Sequence, residues 1–427
     1  MKVTILPGPL KGSVTILPSK SQLHRLLICA ALADGETFLR SAPTRAEDVE
    51  ATIACLTALG AKIQWTGAGF QIIPIDRAKL PERAVLPCRE SGATFRFMLP
   101  LVCALGVSGE FHMAGRLPKR PLAPLDDELT RHGIRLTRPE PAVLRTEGKL
   151  QAGDYVLPGN VSSQYITGLL LALPLLTENS TLTIKGAVES ADYIHMTLEA
   201  AAAFGQIPIL DKNCYHIHSG STPYQSPGIT DAEGDWSNAA FWLCAGAMPK
   251  GEVTVHGLNP ASSQGDRDIV SVLEQMGAYI TWAGNVITAS EEQRLGVEID
   301  ATAIPDLIPV LSAVAAVSRG RTTIKNAARL RIKESDRLAA TAGVLNILGA
   351  KVNEKPDGLV IEGVPQLTGG TVDAWGDHRI AMMAAIASTA CIGPVTITGA
   401  DAVRKSYPQF WEELATLGKE VHLIEDV

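Results

Sequence analysis

The stretch Leu56-Thr57-Ala58-Leu59-Gly60-Ala61-Lys62-Ile63 returns in outline along the whole chain. The pattern Leu-x-x-x-Gly-x-x-apolar recurs at 129–136, 273–280, 345–352 and 414–421, with a looser copy in Phe204-Gly205-Gln206-Ile207. Its glycines, Gly60, Gly133, Gly205, Gly277, Gly349 and Gly418, are spaced by 73, 72, 72, 72 and 69 residues, so one structural unit is used six times. Val49, Ile53 and Leu56 fall on one helical face ahead of Gly60, which then supplies a left-handed C-cap before a short strand. An earlier helix is expected in each unit, as at 23–32, 166–176 and 380–387, followed by a strand such as 181–184 or 253–255. The unit therefore reads strand, helix, strand, helix, strand, strand. It is too long for a simple solenoid, whose repeats run to about 20–50 residues. Three units per domain give two α/β domains of similar size. The Gly/Ser/Pro-rich segment from Gly220 to Gly228 is the expected crossing between them.

The 427 residues are 46% hydrophobic, enough for substantial cores and too many for a disordered chain. A net charge of −7 disfavours a nucleic-acid binder, so anions must be met by local cationic clusters. No secretory signal or membrane-spanning apolar run is read; the longest candidate, 380–400, is broken by Gly393-Pro394. Seven scattered cysteines without a Cys-x-x-Cys pair read as free thiols of a reducing cytoplasm.

Several units place small polar and cationic residues where the first helix should begin: Ser19-Lys20-Ser21 through Arg25, Glu90-Ser91-Gly92 through Arg96, Gly159 to Gln164, and Gly376-Asp377-His378-Arg379. Helix N-termini offer unpaired N–H groups and the positive end of a dipole, which suit anions. Alone, each is more often an ordinary N-cap with a solvated charge. A second set falls at the later loop or helix: Pro118-Lys119-Arg120-Pro121, Ser190-Ala191-Asp192-Tyr193, Arg329 to Arg337, and Arg404-Lys405-Ser406-Tyr407-Pro408. Lys333 and Arg337, four apart, would share a helical face, either around an anion or in a ladder with Glu334 and Asp336. Asp306 stands in the apolar stretch 303–311, as a reactive carboxylate, a cap for a helix over 307–317, or both.

The set Lys20-Ser21-x-x-x-Arg25, Ser162-Ser163-Gln164, Ile304-Pro305-Asp306, Lys333-Glu334-Ser335-Asp336-Arg337, Asp377-His378-Arg379 and Lys405-Ser406-Tyr407-Pro408 resembles the 5-enolpyruvylshikimate-3-phosphate synthase family, in order and over essentially the whole chain. The resemblance implies a two-domain inverse α/β barrel, each domain three βαβαββ units, with the active site in the cleft between them. It puts residues 20–229 in an N-terminal domain on the shikimate 3-phosphate side. Residues 1–19 with 230–427 form a C-terminal domain on the phosphoenolpyruvate side, with hinges near Ser19 and Thr230. The implied reaction moves the enolpyruvyl group of phosphoenolpyruvate to the 5-hydroxyl of shikimate 3-phosphate by addition and elimination, releasing phosphate, in aromatic amino acid biosynthesis. No cofactor and no metal are implied; the partners are the two small substrates, without nucleic acid or membrane, and a monomer is expected.

Carried over by position, Lys20, Ser21, Arg25, Ser162, Ser163, Gln164, Ser190, Tyr193, Asp306 and Lys333 resemble the shikimate 3-phosphate contacts. Lys20, Gly92, Arg120, Gln164, Arg337, Arg379 and Lys405 resemble the phosphoenolpyruvate contacts. Asp306, Glu334 and Lys20 resemble the catalytic groups. Seven cations for four anionic groups is what the electrostatics ask for. Arg329 stands where the family often has Asn, and Ala93 where it commonly has Thr. Gly92 places the chain with the members in which the herbicide glyphosate competes with phosphoenolpyruvate. A sister family that acts on UDP-N-acetylglucosamine carries a Cys at the position of Gly115, and none lies between Cys103 and Arg120. A non-catalytic phosphate-binding repeat protein would keep the helix starts but need neither Asp306 nor Glu334.

Overall fold

All six repeat glycines have positive φ, from 78° at Gly205 to 106° at Gly60. In each copy the N–H after the glycine reaches back to the carbonyl five residues earlier: Ala61 to Leu56, Ile134 to Leu129, Gln206 to Ala201, Ala278 to Leu273, Ala350 to Leu345 and Lys419 to Leu414, at 2.9–3.4 Å. This is the closing bond of a Schellman cap, and it needs the left-handed turn that glycine adopts without strain. The sixfold phrase is thus a sixfold helix stop.

The computed structural model describes residues 1–218 and 224–424, so Gly220 to Pro223 of the expected crossing lie outside the described residues. Twelve helices, two per unit, are α1 (Lys20–Leu32), α2 (Glu47–Ala58), α3 (Gly92–Leu105), α4 (Leu125–Arg131), α5 (Ser163–Ala172), α6 (Ala191–Ala203), α7 (Trp236–Ala247), α8 (Ile269–Gln275), α9 (Ile308–Ala316), α10 (Arg337–Ile347), α11 (His378–Ala387) and α12 (Phe410–Thr416). The first helix of each unit is apolar almost all round and buried along nearly its whole length. A helix with no polar face belongs inside. The strands instead alternate buried and exposed residues, as in Arg83–Arg89, so each sheet turns one face to solvent. Helices inside and sheets outside is the inverse of an ordinary α/β barrel.

The chain divides into two compact units, Met1–Leu17 with Glu233–Val427, and Pro18–Ala232. Each has its own apolar core. Each unit carries three four-stranded sheets of one design. In the third repeat, Asp154–Pro158 runs parallel to Ser180–Lys185, which pairs antiparallel with Cys214–Ile217, itself paired with Ile209–Asp211. That is the βαβαββ unit.

Two repeats take their first strand from elsewhere in the chain. Lys11–Thr15, just before α1, pairs parallel with Glu252–His256. Ile229–Asp231, just before α7, pairs parallel with Thr37–Arg40. Thr230, where the sequence reading put a hinge, lies inside this strand, and the division falls at Ala232/Glu233. In the sixth repeat Lys2–Ile5 sits between Val395–Thr398 and Val421–Ile424, antiparallel to both.

Candidate active site

Half of the site residues singled out in the sequence fall in the first turn of a helix, and Ser162 and Ser190 stand just before one. Lys20 opens α1, capped by Ser19, whose hydroxyl accepts from Gln22 N. Gly92 opens α3, capped by Ser91 onto Thr94 N. Ser163 and Gln164 open α5, capped by Ser162 onto Gln164 N. Ser190 precedes α6 with φ 55°, and Tyr193 lies in that helix's first turn. Arg337 opens α10 behind its cap Asp336, and Arg379 is second in α11 behind its cap Asp377. Arg120 follows a short turn over Leu117–Lys119, and Lys405 ends another over Ala400–Lys405.

In the unit Pro18–Ala232, Arg25 is 2% exposed and held by neutral oxygens. It donates to Thr197 Oγ1 (2.8 Å), the Ser21 carbonyl (2.6 Å) and the Tyr193 carbonyl (2.8 Å). Its guanidinium also lies 5.2 Å from the Phe97 ring centre and 6.0 Å from that of Tyr193. Burial pushes it down to about 10, still charged at neutral pH. Arg96 Nη1 donates to Gln164 Oε1 at 2.7 Å. Lys20 pairs with Asp48 at 2.7 Å. A hydroxyl chain, His24–Thr52–Thr94–Ser91, has links of 2.7 Å and ties the starts of α1, α2 and α3 together. Burial, with the charges of Lys20 and Arg25, lowers His24 well below the usual histidine range, so its ring is neutral. A Cβ on Gly92 would lie 2.6 Å from Arg120 Nη1 and 2.8 Å from Arg96 Nη1, so the absent side chain lets two guanidinium groups close in.

In the other unit the cations meet carboxylates. Asp306 Oδ1 lies 2.8 Å from Arg337 Nη1 and 3.5 Å from Lys333 Nζ, and Oδ2 lies 3.1 Å from Arg379 Nη2. Arg337 also bonds Asp377 Oδ2 (2.8 Å) and Glu334 Oε2 (2.7 Å). Asp377, fully buried, takes the Ser335 hydroxyl and the Arg379 backbone N–H as well. Lys405 Nζ donates to the Gly376 carbonyl at 2.7 Å. Burial by itself would raise the Asp306 carboxyl, but Arg379, Lys333 and Arg337, with His378, outweigh it and hold it well below the usual range. Burial lowers Lys333 in spite of Asp306.

Two sequence expectations change here. Lys333 and Arg337 do not share a helical face: Lys333 is extended, and α10 begins only at Arg337 because Asp336 caps it onto Ala339 N. What they share is Asp306. Asp306 in turn caps no helix; it sits in the turn Pro305–Leu307 ahead of α9, where no side-chain cap is made. The sequence expectations did not include Asp48 and Asp266, and placed Arg96 at a helix start without a role. Arg96 was legible one helical turn after Gly92; Asp48 and Asp266 become neighbours of site residues only through the tertiary fold.

Two units of three βαβαββ repeats, each with cationic side chains gathered at or near its helix starts, define the class of fold. The comparisons with known proteins carry this further. Residues 6–414 match the family model described as EPSP synthase (3-phosphoshikimate 1-carboxyvinyltransferase). The chain is 43% identical over 422 residues to a 3-phosphoshikimate 1-carboxyvinyltransferase of Clostridium kluyveri, covering 98% of both. It is 42% identical over 424 residues to that of Clostridium acetobutylicum, again covering 98% of both. A solved EPSP synthase of Acinetobacter baumannii superposes with a TM-score of 0.79 at 27% identity, covering 99% of this chain and all of that one. The enolpyruvyl transferase NikO of Streptomyces tendae, at 18% identity and TM-score 0.77 over 99% and 98% of the two chains, shares the fold. The chain belongs to the EPSP synthase family.

Proposed function

We propose that this protein catalyses its family's reaction, transfer of the enolpyruvyl group from phosphoenolpyruvate to the 5-hydroxyl of shikimate 3-phosphate with release of phosphate. The full-length likeness to 3-phosphoshikimate 1-carboxyvinyltransferases supports this reaction class over the amino-sugar one. The observation that carries the mechanism is the Asp306 carboxylate gripped by Arg337, Arg379 and Lys333.

The reaction adds the 5-hydroxyl oxygen to C2 of phosphoenolpyruvate while a proton joins the methylene carbon. It then expels phosphate from the tetrahedral adduct while a proton leaves the new methyl. A base, an acid and charge stabilisation for phosphate are required. Arg337, Arg379 and Lys405 are assigned to phosphoenolpyruvate; each is a buried cation held by a group that an anion can replace. As the substrate's carboxylate and phosphate take up these cations, Asp306 loses the partners that hold its proton affinity down. Binding itself then turns Asp306 from a spectator ion into a base. Glu334, bonded to Arg337, is its acid–base companion, and Lys20 supplies a further cation to both substrates. Ser21, Arg25, Ser162, Ser163, Gln164, Ser190, Tyr193 and Lys333 are assigned to shikimate 3-phosphate, with Asp306 reaching its hydroxyl. Gly92, Arg120 and Gln164 are assigned to phosphoenolpyruvate.

The test is phosphate release measured with each substrate alone and with both. Release that requires both bears the proposal out. Release with a UDP-amino sugar in place of shikimate 3-phosphate, or none at all, overturns it. We keep a cytoplasmic monomer as the expectation; the seven free cysteines agree with a reducing compartment. Sedimentation at micromolar concentration checks the monomer.

A further inference from the structure

Asp266 is a carboxylate that the reaction just described does not use. It lies in the turn Gly265–Asp268 ahead of α8 and is 4% exposed. Its Oδ2 accepts from the Ser237 hydroxyl in the first turn of α7. Its Oδ1 is buried and has no hydrogen-bond partner among the described residues. This turn, the turn that carries Asp306 and the helix that carries Arg379 all pack against α7. A buried carboxyl with one hydroxyl for company is costly to ionise, and a carboxylate nearby makes it costlier.

We propose that Asp266 is a positioning residue that sets the anion affinity of the Asp306–Arg379 cluster. Protonated, it leaves Arg379 to the substrate; ionised, it adds a negative charge that competes with the substrate for Arg379. The proposal rests on the assignment of Arg379 to phosphoenolpyruvate. Burial first, and then the Asp306 charge, push the Asp266 carboxyl up to about 7, against the opposing pull of Arg379 and the Ser237 hydroxyl. Asp235, the cap of α7, adds to the rise. On its own turn stand Arg267, which donates to the Pro260 carbonyl, and Asp268. The change of charge therefore falls at neutral pH. As Asp266 ionises, the cluster gains one negative charge and holds an anion less well.

The experiment measures KM for phosphoenolpyruvate and kcat between pH 5.5 and 9 for wild type, Asp266→Asn, Ser237→Ala and Arg379→Gln. The substrate's own phosphate titration cancels in the ratio of wild-type to Asp266→Asn KM. That ratio is expected to rise by about three- to tenfold across neutrality, the scale of one added like charge near a partly buried site. Ser237→Ala removes a donor that favours the ionised form, so its rise moves to higher pH. A ratio flat with pH overturns the proposal. If Asp266→Asn does not fold, a Ser237→Ala profile identical to wild type overturns it. A flat ratio together with an unchanged KM in Arg379→Gln means that the assignment of Arg379 has failed. A flat ratio with a raised KM in Arg379→Gln means that only the role of Asp266 has.

Discussion

Arg25 in one unit and Arg337 with Arg379 in the other are held by opposite means. In Pro18–Ala232, Arg25 rests on carbonyls, hydroxyls and aromatic faces. In the other unit, Arg337 and Arg379 rest on the carboxylates Asp306, Glu334 and Asp377. Neutral partners leave a standing positive charge, so an anion entering there finds an attraction that is already open. Carboxylate partners cancel the charge until an anion displaces them, which couples binding to a change in the proton affinity of the displaced group. The first arrangement suits recognition and the second suits chemistry.

Breaking the second arrangement has the largest expected effect. Asp377→Ala leaves the buried Arg337 short of its main partner and removes the cap of α11. A broken buried pair costs about 3–5 kcal/mol, read from denaturant unfolding; a loss below about 1 kcal/mol would mean that the grip is dispensable. The same contact gives a pH dependence. Burial would raise Asp377, but Arg337 prevails and holds it below its ordinary value. Its contribution is thus present above the unfolded carboxylate value of about 3.9 and is lost as pH falls through the lower native one.

Asp306→Asn comes next. The shape stays and the base goes, so kcat is expected to fall by about a hundredfold or more, with shikimate 3-phosphate binding changed much less. Normal turnover would reduce Asp306 to a counter-ion. Arg25→Met sharpens the contrast. It leaves hydroxyls and carbonyls unpaired instead of a buried carboxylate, so the stability loss should be only about 1–3 kcal/mol. The affinity for shikimate 3-phosphate should drop far more than that for phosphoenolpyruvate. Equal losses, by calorimetric titration of each substrate, would erase the distinction between recognition and chemistry.

The smallest effect is expected at Gly92→Ala. The new methyl meets the far ends of Arg120 and Arg96, which can swing aside, rather than backbone. KM for phosphoenolpyruvate should rise by about three- to tenfold, a loss of up to about 1.4 kcal/mol. Inhibition by glyphosate should weaken more than that. Equal changes in the two constants would show that the arginines yield without narrowing the pocket.

What could be read in the sequence was the local part. The repeat was visible because five of the six copies place a leucine in the last full turn and all six place a glycine at the left-handed position four residues on, local demands that tertiary context does not alter. Helix starts were visible for the same reason: Ser19, Ser91, Ser162 and Asp377 cap onto N–H groups two or three residues on. The face shared by Lys333 and Arg337 was misread because the cap of α10 is Asp336, which puts Lys333 outside the helix. The grip on Asp306 joins residues 31 and 73 positions away, and spacing says nothing about that distance. Nor does it say that Asp266 is buried, since a single Asp between Gly265 and Arg267 looks like any polar turn.

The strand Lys2–Ile5 has a consequence for synthesis. Thr4 and Thr396, 392 residues apart in sequence, touch through their hydroxyls at 2.9 Å. The ribosome therefore makes the central strand of the sixth sheet long before either of its neighbours. While Pro18–Ala232 emerges and can close its own core, Lys2–Ile5 waits with bare edges, a segment that a chaperone or a stray strand can capture. The unit that carries Asp306 and Arg337 becomes whole only once Val421–Ile424 has been made, so a chain cut short of that strand lacks a completed sixth sheet.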